Sequence, residues 1–198
     1  MGRPASGKST LAKLVENHLR EHGIELENLD GDELRKNLHP DLGFSREDRR
    51  TNNKRTAFIC RLLNRNGIGA IVAMITPFRD AQQQVREIIE PDGEVVLIYV
   101  KCPVDVCAER DPKELYEQAK QGKIENFTGI NHPFQEPLNP DIIVDTASNG
   151  PEYCADEIID HLESIGLFEE SVADYQFDIT REEEMEIKEQ LRDRGYIE

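Results

Sequence analysis

The sequence predicts a three-layer α/β/α fold, in which helices cover both faces of a mainly parallel sheet. Segments of strand character alternate with segments of helical periodicity along the chain, which is the order of repeated strand–helix–strand units. Two of the strand segments, 68–75 and 94–101, are almost continuously apolar. Such runs are expected of strands that are covered on both faces of a sheet.

The chain begins with a glycine-rich motif, Gly2 to Thr10, that fits the pattern G-x-x-x-x-G-K-[ST] of phosphate-binding loops (P-loops). In such a loop, backbone N–H groups surround the phosphates, the lysine reaches the β- and γ-phosphate oxygens, and the hydroxyl is placed to bind Mg²⁺. A helix follows and ends near Gly23, with its positive end towards the anion. A chance match is the alternative, and four fixed positions followed by an amphipathic run argue against it.

A phosphate-binding loop of this kind normally follows a β-strand, but only Met1 precedes this one. That strand is central to the sheet, and its absence would expose the flanks of neighbouring strands. We therefore expect that roughly 5–10 residues of apolar strand precede Met1 in the intact protein. The first strand of the sheet is expected to be truncated in this chain.

The other elements follow from periodicity and from turn and capping signals. Short or buried apolar runs predict strands over 24–29, 68–75, 94–101 and 141–144. Ser45, with Asp48 three residues on, predicts the start of a long helix that is polar at first and apolar later. Including that helix, the segments predicted to be helical after Gly23 are 33–38, 45–66, 79–89, 103–110 and 152–165.

Two segments differ in character from the rest of the chain. Residues 111–129 are charged and only partly periodic, which is typical of a mobile lid. The composition shifts after Gly166, and Thr180 with Glu183 forms a capping box for an acidic helix over 181–194. The sequence therefore predicts one domain over 1–166 and an acidic tail over 167–198, which is either a docking helix or solvated.

Composition excludes several classes of function. The net charge of −16 argues against nucleic acid or an anionic membrane as the main partner. No apolar run approaches the ~20 residues of a membrane span, and no secretory signal is present. The four cysteines are scattered without a C-x-x-C pair, which favours reduced thiols in a cytoplasmic protein.

A second group of polar residues follows the predicted strand over 24–29. Asp30-Gly31-Asp32 falls at the carboxyl end of that strand, where open α/β proteins bind ligands. A carboxylate there can hold Mg²⁺ or accept a proton, although Asp32 could instead cap the helix that begins at Glu33. Arg35, Arg49 and Arg79 also fall at or beyond strand ends, and together they would suit an anionic substrate.

These residues carry a family resemblance: the chain resembles adenylylsulfate kinase. Members of that family transfer the γ-phosphate of ATP to the 3′-hydroxyl of adenosine 5′-phosphosulfate (APS), which gives PAPS. The resemblance covers residues 2 to about 165. Besides the phosphate-binding loop it rests on seven ordered segments: Leu29–Asp32 with Arg35, Asp41–Ser45, Asp48-Arg49 with Asn52 and Arg55, Ile75–Arg79, Arg110–Tyr116, Asn126–Ile130 and Asn139–Asp141.

The resemblance implies a P-loop kinase fold and a role for each matching position. Lys8 and Asp32 would be catalytic, and Ser9 and Asp32 would hold Mg²⁺. The ATP-binding residues would be Ala5, Ser6, Gly7, Lys8, Ser9, Thr10 and Arg110. The residues that bind or line the APS site would be Asp30, Gly31, Asp32, Glu33, Arg35, Phe44, Arg49, Asn52, Ile75, Thr76, Lys113, Asn126 and Phe127, with Phe44 and Phe127 as partners around the adenine.

The chain also departs from the family pattern. The loop reads Gly2-Arg3-Pro4-Ala5 where G-L-S-G is common, Thr76 stands in place of serine, and Glu125 in place of a basic residue. Asn53 replaces an isoleucine. Two alternatives therefore stay open, a kinase of another nucleotide conjugate such as cytidine diphosphoramidate and a nucleotide-binding module without catalysis. The resemblance further suggests a homodimer and a functional link to ATP sulfurylase.

Overall fold

The computed structural model describes residues 1–168, which alternate between helix and strand. The helices are α1 (Lys8–Glu21), α2 (Gly31–Asn37), α3 (Arg46–Asn64), α4 (Arg79–Ile89), α5 (Val104–Arg110), α6 (Leu115–Lys120) and α7 (Pro151–Ser164). The strands are β1 (Leu26–Asp30), β2 (Gly69–Ala73), β3 (Ile98–Lys101) and β4 (Ile142–Asp145). The helix predicted over 181–194 and the rest of the tail lie outside the described residues.

The four strands form two parallel pairs. β1 pairs with β2 from Leu26 opposite Gly69 to Asp30 opposite Ala73. β3 pairs with β4 in the same orientation. The parallel pairing predicted from the alternating order is therefore correct, but β2 and β3 are shorter than their apolar runs suggested.

The first two residues of the chain lie between the two strand pairs. The N–H of Val100 donates to the carbonyl oxygen of Met1 at 2.8 Å, and the N–H of Gly2 donates to the carbonyl of Ile75 at 3.4 Å. Among residues 1–168 no strand joins β2 to β3, and a cavity of about 570 Å³ with apolar side chains from α1, β2 and β3 follows this gap. The two pairs are therefore held together mainly by helix packing.

Separate apolar clusters cover the two faces of the strand pairs. On one face α1 packs against α7, and both contribute to a cluster that includes Leu11, Val15, Ile158 and Val144. On the other face α3 packs against α4, and Cys60 of α3 is buried in a cluster with apolar side chains of α4, β1 and β2. Helices on both faces make the predicted three-layer α/β/α architecture.

A third cluster lies beneath residues 111–129. Tyr116 and Ala119 of α6 pack with Cys102, Cys107 and Phe127, all of them buried. The segment predicted to be a lid therefore contains a short helix that is docked on its own apolar core.

The long helix α3 begins as predicted, and two of its large apolar side chains lie off its buried face. The side chain of Ser45 accepts from the N–H of Asp48, and the Asp48 carboxylate accepts from the N–H of Ser45, which is a complete capping box. Phe58 and Leu62 are 53% and 41% exposed. The buried stripe is largely polar and repeats at helical spacing: Arg49, Asn52, Asn53, Thr56, Ala57 and Cys60.

Within residues 1–168, none of the helices combines the length and the apolar character that crossing a membrane requires.

Candidate active site

A cavity of about 1230 Å³ opens at the carboxyl ends of the strands. Most of the residues singled out in the sequence line it, although they come from separate parts of the chain. Three of them do not: Ser6 is fully buried within the loop, Glu33 lies outside the lining, and Arg79 also lies outside it and donates to the carbonyl of Glu136 at 2.9 Å. The predicted residues that line it are Ala5, Gly7, Lys8, Ser9, Thr10, Asp30, Gly31, Asp32, Arg35, Phe44, Arg49, Asn52, Ile75, Thr76, Arg110, Lys113, Asn126 and Phe127.

The phosphate-binding loop has the backbone conformation that its glycines predict. Gly7 has φ 93° and is followed directly by α1, so the helix begins at Lys8. At Gly2 a Cβ atom would lie 2.5 Å from the carbonyl oxygen of Val100, which leaves no room for a side chain. Ala5 adopts φ 58°, a left-handed conformation that costs roughly 1 kcal/mol for alanine. The loop is therefore tightly curled against β3.

Side chains from other elements hold the loop from behind. The Tyr116 hydroxyl donates to the carbonyl of Pro4 at 2.9 Å, and the Thr146 hydroxyl donates to the carbonyl of Ser6 at 2.9 Å. Arg3 donates to the carbonyl of Cys102 at 3.1 Å, and its guanidinium lies 5.0 Å from the centre of the Phe134 ring. These contacts join the loop to β3, α6 and the residues after β4.

Lys8 is folded back across the loop. Its ammonium donates to the carbonyl of Arg3 at 2.7 Å. Burial lowers the pKa of Lys8 to about 8, and the carboxylates of Asp30 and Asp32 partly oppose that shift. A cation that is desolvated in this way would interact strongly with a phosphate group placed in the loop.

Asp30, rather than Asp32, caps α2. Its carboxylate accepts from the N–H of Asp32 at 2.9 Å and from the N–H of Glu33 at 3.3 Å. The suggestion that Asp32 caps this helix is therefore wrong, because the capping residue lies two residues earlier. The second oxygen of Asp30 accepts from the Ser9 hydroxyl at 3.2 Å, so the structure joins the end of β1 directly to the phosphate-binding loop.

Asp32 is free of a capping role and points into the cavity, where it meets the Lys113 ammonium. The two groups form an ion pair across 81 residues of sequence. Both side chains remain well exposed, at 76% and 64%, so the contact itself adds little stability. Asp32 raises the pKa of Lys113 above its usual value.

The oxygen atoms beside the loop fit a magnesium ion. Mg²⁺ is bound through one or two carboxylates together with substrate phosphates and water. Ser9 and Asp30 already lie within hydrogen-bond distance of each other, and Asp32 is at the next turn. If Mg²⁺ binds here, Asp30 would join Ser9 and Asp32, the two ligands expected from the sequence, as a third oxygen donor.

Arg35 and Arg49 enclose the ring of Phe44 at the other end of the cavity. Their guanidinium carbons lie 4.6 Å and 5.5 Å from the ring centre. Arg35 donates to the carbonyl of Gly43 at 2.8 Å, and Arg49 donates to the carbonyls of Phe44 at 3.1 Å and Asn126 at 2.8 Å. Burial and the charge of Arg35 lower the pKa of Arg49 to about 10. Two neighbouring cations beside an aromatic ring are a suitable site for an anionic nucleotide.

Phe44 and Phe127 both line the cavity, but they have different surroundings. Phe44 is 53% exposed between the two arginines. Phe127 is buried edge-on against Tyr116, with ring centres 4.9 Å apart. In this structure the exposed ring is that of Phe44, whereas Phe127 belongs to the apolar cluster beneath residues 111–129.

Thr76 follows β2 with a strained backbone. Its φ of 44° is unusual for a β-branched residue, and such outliers concentrate at functional sites. The amide of Gln82 holds it by donating to the carbonyls of Thr76 and Gln135, both at 3.0 Å. Gln82 of α4 thus ties the backbone of Thr76 to that of Gln135.

Arg110 lies at the end of α5, beside the loop. It donates to the backbone carbonyl of Thr146, whose hydroxyl in turn donates to the carbonyl of Ser6. Arg110 lines the cavity near the loop, as expected of an ATP-binding residue, and it also supports the loop through Thr146.

Sequence reasoning missed three polar residues of this region. Asn53 and Thr128 line the cavity and are buried, and neither the Asn53 Nδ2 atom nor the Thr128 hydroxyl has a protein partner among the described residues. His39, only 2% exposed, hydrogen-bonds to Asn52 at 2.7 Å. The helical spacing of Arg49, Asn52 and Asn53 could have revealed the first of these; nothing in the sequence marked the other two.

Comparison with known proteins gives a consistent result. A family model described as "Adenylylsulphate kinase" matches residues 1–145. The adenylyl-sulfate kinase of Staphylococcus carnosus is 45% identical over 162 residues, which is 82% of this chain and 81% of that protein. The enzyme of the same name from Halothermothrix orenii is 43% identical over 165 residues, covering 83% of this chain and 88% of its own length.

A solved structure shares the fold at substantial identity. The APS kinase CysC of Mycobacterium tuberculosis, in complex with AMPPNP and APS, superposes with a TM-score of 0.79 at 39% identity. The match covers 82% of this chain and 94% of that one.

Proposed function

The chain belongs to the adenylylsulfate kinase family, and on that premise we propose that it transfers the γ-phosphate of ATP to the 3′-hydroxyl of APS. The products are ADP and PAPS. The proposed enzyme is a phosphotransferase with an alcohol group as acceptor, and its place is in sulfate activation.

One observation carries the proposal: a single cavity joins a phosphate-binding loop to a second cationic and aromatic site. Its volume of about 1230 Å³ exceeds the upper range of sites for one drug-sized ligand, ~1,000 Å³. The loop end offers Lys8 and Ser9, and the far end offers Arg35, Arg49 and Phe44. Two anionic nucleotides facing each other match this arrangement.

At the loop end, residues 5–10 are proposed to bind the phosphates of ATP, with Arg110 beside its purine. Lys8 would release the carbonyl of Arg3 and donate to the β- and γ-phosphate oxygens. The orphan N–H groups at the start of α1 would donate to the same phosphates. Mg²⁺, held by Ser9 with Asp32 or Asp30, would neutralise phosphate charge as the transition state forms.

At the far end, Arg35, Arg49 and Asn52 are proposed to bind the phosphosulfate and ribose of APS, with Phe44 stacked on the adenine. Gly31, Glu33, Ile75, Thr76, Asn126 and Phe127 are proposed to shape the rest of the site. Glu33 has the weakest support, because it lies outside the cavity lining.

The reaction is proposed to be a direct in-line transfer. The 3′-oxygen of APS forms a bond to the γ-phosphorus while the bond to the β–γ bridging oxygen breaks, and ADP leaves with that electron pair. The hydroxyl proton passes to the Asp32 carboxylate. Phosphoryl transfer leaves little covalent work for the protein, so positioning and charge would supply most of the acceleration.

The ion pair between Asp32 and Lys113 bears on this mechanism. The Lys113 ammonium occupies the carboxylate that is proposed to take the hydroxyl proton. We therefore expect Lys113 to leave Asp32 when substrates bind and to pair with their anionic groups, while the lid segment excludes water that would hydrolyse ATP.

The assembly and the setting are part of the proposal. APS is formed by adenylyl transfer from ATP to sulfate, so an ATP sulfurylase would supply the substrate. The chain is proposed to act as a homodimer in the cytoplasm, which agrees with four free, buried cysteines.

Product analysis tests the proposal. The full chain is incubated with Mg-ATP and, separately, with APS, cytidine diphosphoramidate and other nucleotide acceptors, and the products are separated by mass. We expect PAPS, and at least a ~100-fold loss of turnover in Lys8→Ala and Asp32→Ala. Turnover with another acceptor but none with APS would replace the proposal by the first alternative, and binding without transfer to any acceptor would replace it by the second.

A further inference from the structure

His39 lies outside the cavity lining but contacts a residue that belongs to it. The ring is 2% exposed, and its Nδ1 atom lies 2.7 Å from the Oδ1 atom of Asn52. Asn52 is 3% exposed and lines the cavity together with Arg49. A buried hydrogen bond of this length therefore joins the turn after α2 to the proposed APS site.

The backbone fixes the position of His39 before its side chain makes this contact. The N–H of His39 donates to the carbonyl of Leu34 at 3.0 Å, and its own carbonyl accepts from the N–H of Leu42 at 3.1 Å. Asn52 is likewise anchored, because the Thr56 hydroxyl donates to its backbone carbonyl at 2.9 Å. The remaining freedom of Asn52 is rotation of its amide group.

The orientation of that amide decides what Asn52 offers to a ligand. An amide presents either a carbonyl oxygen, which accepts, or an NH₂ group, which donates. The oxygens of an anionic nucleotide accept hydrogen bonds, and a carbonyl oxygen facing them would repel them. A partner that holds the Oδ1 atom on the protein side leaves the Nδ2 atom free to donate into the cavity.

We propose that His39 is a positioning residue for the acceptor nucleotide: its Nδ1–H donates to Asn52 Oδ1 and turns the Asn52 NH₂ group towards the substrate. Rotating the amide would set two donors against each other in a buried place, which disfavours the wrong orientation. The inference rests on the proposed function for the identity of the nucleotide.

Three substitutions separate the position of the donor from the volume of the side chain. His39→Asn keeps a donor at the δ position, His39→Gln moves it one bond further out, and His39→Leu removes it. We expect KM for APS to rise about tenfold in His39→Gln and His39→Leu, the effect of roughly one hydrogen bond, and about twofold or less in His39→Asn. KM for ATP and kcat should change by less than about twofold in all three, since His39 does not touch the loop end.

Thr56→Val is the matched control, because it removes a hydrogen bond from the same asparagine without touching the amide. It should leave KM for APS within about twofold of the wild type. In an Asn52→Ala background the difference between His39→Asn and His39→Leu should disappear, since the group that His39 orients is gone. Two results would overturn the proposal and leave His39 with a packing role. One is an equal effect of His39→Asn and His39→Leu on KM for APS, and the other is an unchanged KM in His39→Leu.

The tautomer of His39 gives a second test that does not depend on the reaction. Nitrogen-15 spectra of the full chain should show His39 protonated at Nδ1 in the free protein. Protonation at Nε2 alone would overturn the proposal even if the substitutions prevent folding. If the wild type makes no PAPS but His39 is protonated at Nδ1, the function has failed and the positioning contact stands, to be assayed with whichever nucleotide is phosphorylated.

Discussion

Lys8 combines two properties that conflict in the free protein. It must be charged to attract phosphate, yet it is partly buried, and this desolvation lowers its pKa to about 8. Its present partner, the carbonyl of Arg3, is neutral. The ammonium is thus held in a place where a bound phosphate would restore the charge balance.

The affinity for ATP should therefore fall as the pH rises through the pKa of Lys8. The protonated form binds phosphate, and a pKa of about 8 leaves most of the free protein protonated at pH 7 and little of it at pH 9. We expect the Kd for Mg-ATP to rise about tenfold between pH 7 and pH 9. Titration calorimetry over this range measures it.

Lys8→Arg is the control for this pH dependence, because a guanidinium stays charged throughout. Its Kd for Mg-ATP should be almost independent of pH over the same range. An equally steep rise in Lys8→Arg would assign the dependence to another group.

At the scale of single residues, motifs identified which residues lie in the candidate site, but not which contacts each of them makes. The sequence identified both carboxylates of Asp30-Gly31-Asp32, but which of them caps α2 depends on the turn geometry at the end of β1. It also identified Asn52, but the contact with His39 forms between residues 13 positions apart, and a histidine in a turn carries no sign of burial. Such contacts depend on three-dimensional packing rather than on local pattern.

Among the elements, α3 carries Arg49 and Asn52 into the cavity from a well-capped start. The Ser45–Asp48 capping box fixes the first turn, one helical turn before Arg49. Ser45→Ala should lower the free energy of unfolding by about 1 kcal/mol. Denaturant titration measures it, and Ser164→Ala, at the exposed end of α7, is the control that should change it by less.

The segment around α6 supplies the one lysine that reaches Asp32 in this structure. Lys113→Ala should lower kcat/KM for APS about tenfold, because the substrate anions lose a cation, while Tm should shift by no more than about 1 °C, because the ion pair is exposed. Lys120→Ala removes the same charge from α6 away from the cavity and should leave both values unchanged. A lower Tm with unchanged kinetics would make the ion pair structural only.

The sequence placed the helices well but did not show which face of α3 is buried. Periodicity and capping residues predicted α1, α4, α5 and α7 to within a few residues. In α3 the apolar Phe58 and Leu62 are exposed, and small and polar side chains are buried instead. The buried face of α3 continues into the cavity, which Arg49, Asn52 and Asn53 line.

Across the whole molecule, Arg86 of α4 braces the start of β3 against the start of β4. It donates to the carbonyl of Val95 at 3.0 Å and forms an ion pair with Asp141, whose carboxylate also accepts from the N–H of Leu97 at 2.6 Å. Both partners are only partly exposed, at 24% and 33%. This brace connects α4 with the residues that precede β3 and β4.

Removing the brace should destabilise the protein. Arg86→Met should lower the free energy of unfolding by about 2 kcal/mol, since a charge-assisted bond is lost and a carboxylate loses its partner. Arg46→Met, which removes the exposed pair with Asp80, is the control and should cost under about 1 kcal/mol. Equal losses for the two variants, measured by chemical denaturation, would contradict a special role for Arg86.

The sequence predicted the layered architecture and, from the absence of a strand before the phosphate-binding loop, neighbouring strands with exposed flanks; the structure shows that gap between two strand pairs. Alternation of strand and helix indicates parallel pairing, and the apolar runs over 68–75 and 94–101 correctly marked two strands, although β2 is only partly buried. Strand lengths were overestimated, because an apolar residue beyond the last ladder hydrogen bond looks the same in sequence as one within it.

The division into two strand pairs has a consequence for amide hydrogen exchange. Hydrogen bonds of β1–β2 and of β3–β4 belong to separate ladders, so each pair can open without breaking the other. Protection factors should therefore fall into two groups with different opening free energies. The phosphate-binding loop spans the gap, through Gly2 to Ile75 and through Arg3 to Cys102, and a nucleotide bound there should raise the protection of both groups together.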